Sequence, residues 1–265
     1  MAEFSYGGYC DEIVAQTDLL RSHLKGADST VPVPTCPGWN LGQLVRHVGE
    51  GHRWAETIVR NRAEQPPSDA RLRDLSGSRD EDADRLDTWL AEGAKRLAAA
   101  LRGSGPTARM WTPLEDGPHT AWFYARRFTH ETVVHRADAA LAAETEFAMD
   151  HQVALDAVDE WMELGSLPQI LELNPRQREL LGPGRTVHFH ATDTAPDLAA
   201  EWLLDLTGEV ITWRRAHEKA AVAVRGPMTE LLLLIYRRRT PHDAAVEIFG
   251  DRELLAFWFD RAAFG

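Results

Sequence analysis

A carboxylate and an imidazole four residues apart, Glu131 and His135, are the side chains of this sequence with the clearest capacity for chemistry. On a helix they lie one turn apart on the same face, and Asp138 falls on that face as well. Parallel carboxylate and imidazole groups are good ligands for a divalent cation. The same spacing also occurs on helix faces that only meet solvent, so the pair alone leaves both interpretations open.

A catalytic metal needs a further ligand, and His47 is the candidate. In the segment that follows Asn40, apolar residues form one helical stripe, and His47 lies on the flank of that stripe. Gly51, one turn further on, leaves space beside the imidazole, which therefore points towards the interior of a bundle, where ligands from facing helices converge. The alternative is a histidine at the edge of the core that one hydrogen bond satisfies.

Other histidine pairs fail on geometry. His130 and His135 are five residues apart, or about 140° around a helix, so they cannot share a metal in the manner of the zinc-protease HExxH motif. His52 is likewise five residues from His47 and is expected to face elsewhere. The sequence contains no nucleophile elbow, P-loop or GxGxxG motif, so nucleophilic-serine and nucleotide-binding functions have no support.

Helices must position these residues, and hydrophobic periodicity predicts where they lie. Helices are predicted at 8–25, from Asn40 to about 59, and at about 81–102, 119–142 and 150–165. Asn40 with Gln43 three residues later is a capping-box signature, which predicts the start of the second helix.

The pattern changes after residue 185, where alternating residues predict strands. Strands are predicted at 186–190, 209–213, 221–224 and 246–248, and helices from Pro227 to about 238 and at 252–263. The predicted fold class is therefore α+β, with an N-terminal four-helix bundle followed by a small α+β domain. The expected domains are residues 1–168 and 186–265, joined by a linker at 169–185.

Composition narrows the possible partners and the compartment. A net charge of −12 and a pI near 5.4 argue against nucleic acid or an anionic membrane surface as partner. The apolar run Leu231–Tyr236 is too short to span a membrane. The N-terminus lacks the pattern of a signal peptide, so we expect a cytoplasmic protein. Cys10 and Cys36 form no CxxC motif, and we expect both to be free thiols.

With these residues identified, the sequence resembles the mycothiol-dependent maleylpyruvate isomerase family over nearly its whole length. Members of that family are similar to DinB-type four-helix bundles and carry a small C-terminal domain. The resemblance rests on the segment 36–47 (CPGWNLGQLVRH) and on the segment 127–138 (RFTHETVVHRAD). It implies that the metal ligands are His47, Glu131 and His135.

The resemblance extends to landmarks of the C-terminal domain at 187–193, 225–227 and 250–251. A family arginine implicated in catalysis follows the Leu-rich helix, where a glycine usually precedes it. This chain has Arg237 in the glycine position, so the resemblance implies a catalytic role for Arg238, with a shift of one position left open. The alternative is that the basic run only interacts with the dipole of the helix that it ends.

Two imidazoles and one carboxylate around Zn²⁺, or another divalent metal, leave an open position and a net charge of about +1, which is typical of a catalytic site. A thiol bound there would be largely thiolate at neutral pH. The family resemblance implies a mycothiol-like thiol as cosubstrate, so the reactive sulfur is predicted not to be a cysteine of the chain. Asp138 is predicted to orient His135 or a bound water; a surface ion pair with Arg136 or Arg127 is the alternative.

The predicted function is thus isomerisation or S-transfer on a small electrophilic substrate by a metal-dependent, thiol-using enzyme. A second hypothesis is a non-catalytic module that senses or sequesters metal or reactive thiols. A third is a bundle that kept its fold and lost its chemistry. Only the enzyme would turn over thiol and electrophile.

Overall fold

A computed structural model describes residues 4–74 and 83–262 of the chain. Its helices are α1 (Tyr6–Leu24), α2 (Leu41–Asn61), α3 (Ala70–Arg73), α4 (Ala83–Ser104), α5 (Ala121–Ala142), α6 (His151–Gly165), α7 (Pro168–Leu173), α8 (Met228–Ile235) and α9 (Arg252–Arg261). Its strands are β1 (Thr186–Ala191), β2 (Glu201–Asp205), β3 (Thr212–Arg214), β4 (Val222–Gly226) and β5 (Glu247–Gly250). The predicted helix start at 81 and helix end at 263 lie outside the described residues.

Helices α1, α2, α4 and α5 form the four-helix bundle, in which α1 and α2 each pack against both α4 and α5. Helix α5 is buried on almost every side, and its buried side chains include polar ones such as Thr129, Thr132 and Asp138. A helix that is buried all round crosses the interior. The residues of α5 are therefore placed where ligands from a facing helix can meet them.

The start of α2 is fixed by the predicted capping box. The Asn40 side chain accepts a hydrogen bond from the backbone N–H of Gln43 at 2.9 Å, and the Gln43 side chain accepts one from the backbone N–H of Asn40 at 2.9 Å. These bonds satisfy donors that the first turn of a helix otherwise leaves open. They confirm the prediction and set the rotation of α2, and with it the direction of His47.

The strands form one mixed sheet in the order β3-β2-β1-β4-β5, in which β1 runs parallel to β4 and the other neighbouring pairs are antiparallel. The predicted α+β fold class is confirmed. Strand β2 was not predicted, because its middle residues Trp202, Leu203 and Leu204 are all buried and give no alternation. The predicted strand at 209–213 begins only at Thr212.

Two compact units make up the chain, which divides after Phe147. Helix α6 groups with the C-terminal unit, where the Trp161 ring packs 5.3 Å from that of Trp258, and Trp258 in turn lies 5.4 Å from Phe189 of β1. The division thus falls earlier than the expected boundary at residue 168, because α6 contributes its apolar face to the C-terminal core. Its helical periodicity did not show which core that face would join.

The apolar run Leu231–Tyr236 forms most of α8, in which Met228 and the residues from Leu231 to Ile235 are buried. Within the described ranges, no helix has the length and apolar character needed to cross a bilayer.

Close packing of α2 against α4 generates a stability prediction. Gly49→Ala is expected to lower the free energy of unfolding by about 1–3 kcal/mol, the usual effect of overpacking. An added Cβ would lie 2.1 Å from the Trp89 ring, which the Arg53 guanidinium covers at 3.8 Å. Gly103→Ala is the control, because its Cβ would meet open space and alanine favours a helix by up to about 1 kcal/mol. Equal effects in urea denaturation would contradict this packing.

Candidate metal centre

Two of the predicted ligands, His47 of α2 and His135 of α5, lie side by side. Their ring centroids are 5.0 Å apart and their planes are nearly perpendicular, at 81°. The Trp39 ring contacts both imidazoles, with centroid distances of 4.8 Å to His47 and 6.5 Å to His135. The loop that precedes α2 therefore contributes an aromatic wall that limits how far either ring can turn.

Hydrogen bonds fix which nitrogen of each imidazole carries the hydrogen. Nδ1 of His47 lies 3.1 Å from the Leu72 carbonyl oxygen, and Nδ1 of His135 lies 2.9 Å from Oδ2 of Asp138. Both partners are acceptors, so each Nδ1 donates and each Nε2 keeps its lone pair. Burial, and then the charge of His135, lower the pKa of His47, which favours the neutral ring that a metal ligand requires.

The third predicted ligand, Glu131, lies one turn before His135. Its Oε2 is 3.6 Å from Nε2 of His135, and its Oε1 accepts a hydrogen bond from Nη2 of Arg127 at 2.8 Å. Burial alone would raise the pKa of Glu131, but the charge of Arg127 and its hydrogen bond to the carboxylate oppose this effect, and the pKa is lowered to about 2. The carboxylate is therefore ionised at neutral pH, as a metal ligand must be.

All three of these side chains line one cavity of about 300 Å³ within the bundle. Gly51 borders it, in agreement with the space that the sequence predicted beside His47. The remaining lining is mostly apolar and aromatic: Val48, Trp54, Leu72, Pro113, Phe123, Tyr124 and Phe128. A cavity of this size with a few convergent polar groups is typical of a small-molecule site.

Asp138 is fully buried, so the alternative of a surface ion pair does not hold. Besides the bond from His135, its carboxylate accepts hydrogen bonds from Oγ1 of Thr35 at 2.5 Å and from Sγ of Cys36 at 3.5 Å. A buried carboxylate needs such donors, since leaving water without them costs several kcal/mol. The contact with His135 is the one that the predicted orienting role requires.

A competing ligand set shares His135. In the part of the chain that the structure describes, Cys36, His135 and Asp138 have donor atoms within 4.8 Å of one another, whereas the predicted set is spread more widely. The competing set would use Nδ1 of His135, which already donates to Asp138. The cavity instead adjoins Glu131 and His47, so the predicted set has room for a cation and an exchangeable ligand.

His52 corrects one expectation, because it borders the same cavity as His47 instead of facing elsewhere. A cavity of this width extends over more of the surface of α2 than one ligand position. The ring of His52 is buried and lies with Nε2 2.9 Å from Oγ1 of Thr132, whose hydroxyl donates to the Phe128 carbonyl at 2.7 Å. Nε2 of His52 therefore donates to Thr132 and is not free to bind a metal.

Arg238 belongs to the C-terminal unit and follows α8 directly. Arg237 adopts the left-handed φ of 62°, the conformation that glycine favours, at the position where the sequence resemblance leads us to expect a glycine. The N–H groups of Arg238 and Arg237 donate to the carbonyls of Leu233 and Leu234, which is a Schellman motif. The side chain of Arg238 donates to the Tyr236 carbonyl at 2.8 Å, a contact that the helix-capping alternative also expects.

Several contacts of the site escaped the sequence analysis, among them those of Arg127, Thr35 and Leu72. Arg127 holds Glu131, a pairing that its position four residues earlier on α5 could have indicated. Thr35 binds Asp138 from a distant loop, and the carbonyl that binds His47 belongs to Leu72. A backbone carbonyl of a four-residue helix has no signature in sequence.

Comparison with known proteins agrees with the fold. The family description "Mycothiol maleylpyruvate isomerase N-terminal domain" matches residues 10–140, and "MDMPI C-terminal domain" matches residues 152–257. The chain belongs to the mycothiol maleylpyruvate isomerase family. Its C-terminal family domain begins within α6, in agreement with a division after Phe147.

Solved structures share this family fold. A crystal structure of the mycothiol-dependent maleylpyruvate isomerase has a TM-score of 0.62 at 14% identity, covering 93% of this chain and 96% of that chain. A crystal structure of a mutant of the mycothiol-dependent maleylpyruvate isomerase has a TM-score of 0.60 at 13% identity with the same coverage. No curated protein matches the chain in sequence.

The burial of His52 generates a prediction about acid stability. Burial, followed by the charges of Arg53 and His135, lowers its pKa to about 3, whereas an unfolded histidine titrates near 6.5. Below about pH 6.5 this histidine is protonated in the unfolded chain but stays neutral in the folded chain. The free energy of unfolding therefore decreases as the pH falls towards 3. Lowering the pH from 7.5 to 5 should therefore decrease the free energy of unfolding by about 2 kcal/mol through His52 alone.

His52→Gln keeps a donor for Thr132 and should remove that loss of stability between the two pH values. The exposed His242 provides the control substitution, His242→Gln. Urea unfolding of the metal-free protein gives the free energy of unfolding of each variant at pH 7.5 and at pH 5. Any effect of the substitution on packing is the same at both pH values and cancels in the difference between them. A difference for His52→Gln as large as that of the wild type would contradict the assignment.

Proposed function

We propose that this protein is a metal-dependent enzyme that uses a low-molecular-weight, mycothiol-like thiol to isomerise a small electrophilic substrate. The metal, Zn²⁺ or another divalent cation, would be held by Nε2 of His47, Nε2 of His135 and the Glu131 carboxylate. One observation carries the proposal: two imidazoles from different helices, each with Nδ1 already donating, adjoin one cavity together with an ionised carboxylate.

The donor set suits this cation. Two neutral imidazoles and one carboxylate are a common ligand set of catalytic zinc, and they leave a position for an exchangeable ligand. Zn²⁺ bound there would lower the pKa of a thiol from its ordinary value of about 8.5 and so supply a thiolate at neutral pH.

The chain's own residues would prepare and shelter that thiolate. Asp138 holds the ring of His135, Arg127 keeps Glu131 ionised, and the Leu72 carbonyl orients His47. The aromatic lining of the cavity would exclude water, which strengthens electrostatic interactions in the site. These positioning contacts are of the kind whose loss weakens metal sites by about 10–100-fold.

Isomerisation follows from the reactivity of the thiolate. Its sulfur adds to one carbon of an activated double bond, which becomes a single bond and can rotate, while the electron pair moves into the activating carbonyl group. Return of that pair expels the same thiolate and restores the double bond with the other geometry. The thiol is regenerated, and no oxidant or reductant is consumed.

The family names "mycothiol" and "maleylpyruvate" supply the first test compounds. The full chain with Zn²⁺, mycothiol and maleylpyruvate should convert the cis double bond to the trans form without loss of thiol, as followed by proton NMR. Thiol consumed in step with an electrophile would instead identify S-transfer. Metal and thiol binding with no turnover over a series of unsaturated acids would identify the sensor module and refute an enzyme.

The ligand assignment predicts how metal content changes on substitution. His47→Ala is expected to bind one equivalent of Zn²⁺ less than the wild type, because loss of one of three ligands should weaken the site by well over tenfold. Cys36→Ser should keep both metal and turnover, since the reactive sulfur is that of the cosubstrate. Elemental analysis after dialysis measures the metal content of both variants, and the proton NMR assay measures turnover. Metal lost from Cys36→Ser but kept by His47→Ala would place it at the competing Cys36, His135 and Asp138 set.

Arg238 is proposed to bind a carboxylate of the substrate, which the planar guanidinium can grip with two hydrogen bonds and a lysine cannot. Arg238→Lys is expected to keep the metal but lower kcat/KM about 10- to 1000-fold, equivalent to about 1.4–4 kcal/mol of transition-state stabilisation. Arg237→Lys and Arg239→Lys are the matched controls; Arg239 pairs with Glu230 at 2.9 Å. Full activity in Arg238→Lys would leave only the helix-capping role.

A further inference from the structure

A second cluster of possible metal ligands lies in the C-terminal unit, on one face of the sheet. His190 of β1 and Glu201 of β2 are directly paired across the two strands. His188 lies two residues before His190 and so points to the same face. His217, in the loop between β3 and β4, completes the cluster.

The three imidazoles converge on the Glu201 carboxylate. Its Oε2 lies 2.7 Å from Nδ1 of His217 and 3.1 Å from Nε2 of His188, and its Oε1 lies 3.6 Å from Nε2 of His190. Donor atoms of His190, Glu201 and His217 all lie within 4.8 Å of one another. Donor atoms around a tetrahedral Zn²⁺ lie about 3.3 Å from one another. The distances here fall on both sides of that value, so small side-chain rotations would close the site.

His188 gives an independent reason to expect a cation here. Its side chain is only 6% exposed, and the ring hydrogen-bonds to the backbone of Ala216. Nε2 is also buried and forms no hydrogen bond to any described residue, although it lies 3.1 Å from the Glu201 carboxylate. If the ring is neutral and its hydrogen is donated to the backbone of Ala216, Nε2 is an acceptor. Nε2 of His188 and the carboxylate oxygen of Glu201 are then two acceptors that face each other at this distance. A cation between them would remove that conflict.

We propose that His190, His217 and Glu201 form a second divalent-metal site, with His188 as a further imidazole beside it. Two imidazoles and a carboxylate are a zinc-type ligand set. The side chain of His217 is 79% exposed, which gives an ion access from solvent and leaves room for an exchangeable ligand. Every residue of this site lies in the C-terminal unit, so the site stands independently of the proposed function of the bundle.

The competing explanation is a purely hydrogen-bonded cluster, in which one protonated histidine balances the charge of Glu201. Such a cluster would not bind Zn²⁺ at micromolar concentrations. The two explanations therefore differ in how much Zn²⁺ the chain binds.

Equilibrium dialysis of the full, metal-stripped chain against Zn²⁺ tests the proposal. His217→Asn alters an exposed loop residue and should weaken one Zn²⁺ site at least tenfold. His242→Asn changes another exposed histidine outside the cluster and should leave binding unaltered. Glu201→Gln keeps the side-chain shape and should act like His217→Asn; circular dichroism verifies that each variant is folded.

Combination with His47→Ala separates this site from the bundle site. His47→Ala should retain one equivalent of Zn²⁺, and His47→Ala with His217→Asn should retain none, whereas His47→Ala with His242→Asn should retain one. Equal Zn²⁺ binding by His217→Asn and His242→Asn would overturn the second site without affecting the first. Loss of metal on His217→Asn but not on His47→Ala would overturn the bundle site alone.

Discussion

The candidate centre depends on the hydrogen bonds that the buried carboxylate of Asp138 accepts. A charge without access to water is tolerated only where donors surround it, and here the donors come from two parts of the chain. Thr35 and Cys36 belong to the loop before α2, whereas His135 belongs to α5, as does Asp138 itself. The carboxylate thus joins the loop that leads into α2 to the helix that carries the other ligands, and it orients His135 in the same contact.

One hydrogen-bonding arrangement recurs at His47, His135 and His188. An acceptor engages one ring nitrogen and leaves the other with its lone pair: the Leu72 carbonyl for His47, Asp138 for His135, and the Ala216 backbone for His188. Such partners settle the tautomer before a ligand arrives. His52 has the same arrangement with the nitrogens exchanged, because Thr132 engages Nε2 and Nδ1 keeps the lone pair.

Local sequence predicted most of the elements, because the signals that begin and end helices are local. The capping box at Asn40 fixed the start of α2, and α5 extends over Ala121–Ala142 where periodicity predicted a helix at about 119–142. Prediction failed where the decisive contact was distant. Strand β2 is buried along its middle and shows no alternation, and α6 has an apolar face that either core could have accepted.

The sequence by itself determined that Glu131 and His135 share a face of one helix and that His47 flanks the apolar stripe of another, since helical geometry converts spacing into direction. Only the tertiary structure decided that these faces meet at one cavity. It also decided which nitrogen of each ring is free, because that depends on acceptors remote in sequence, such as the Leu72 carbonyl. The histidines around Glu201 were likewise undetectable, since strand pairing alone brings His190 opposite that carboxylate.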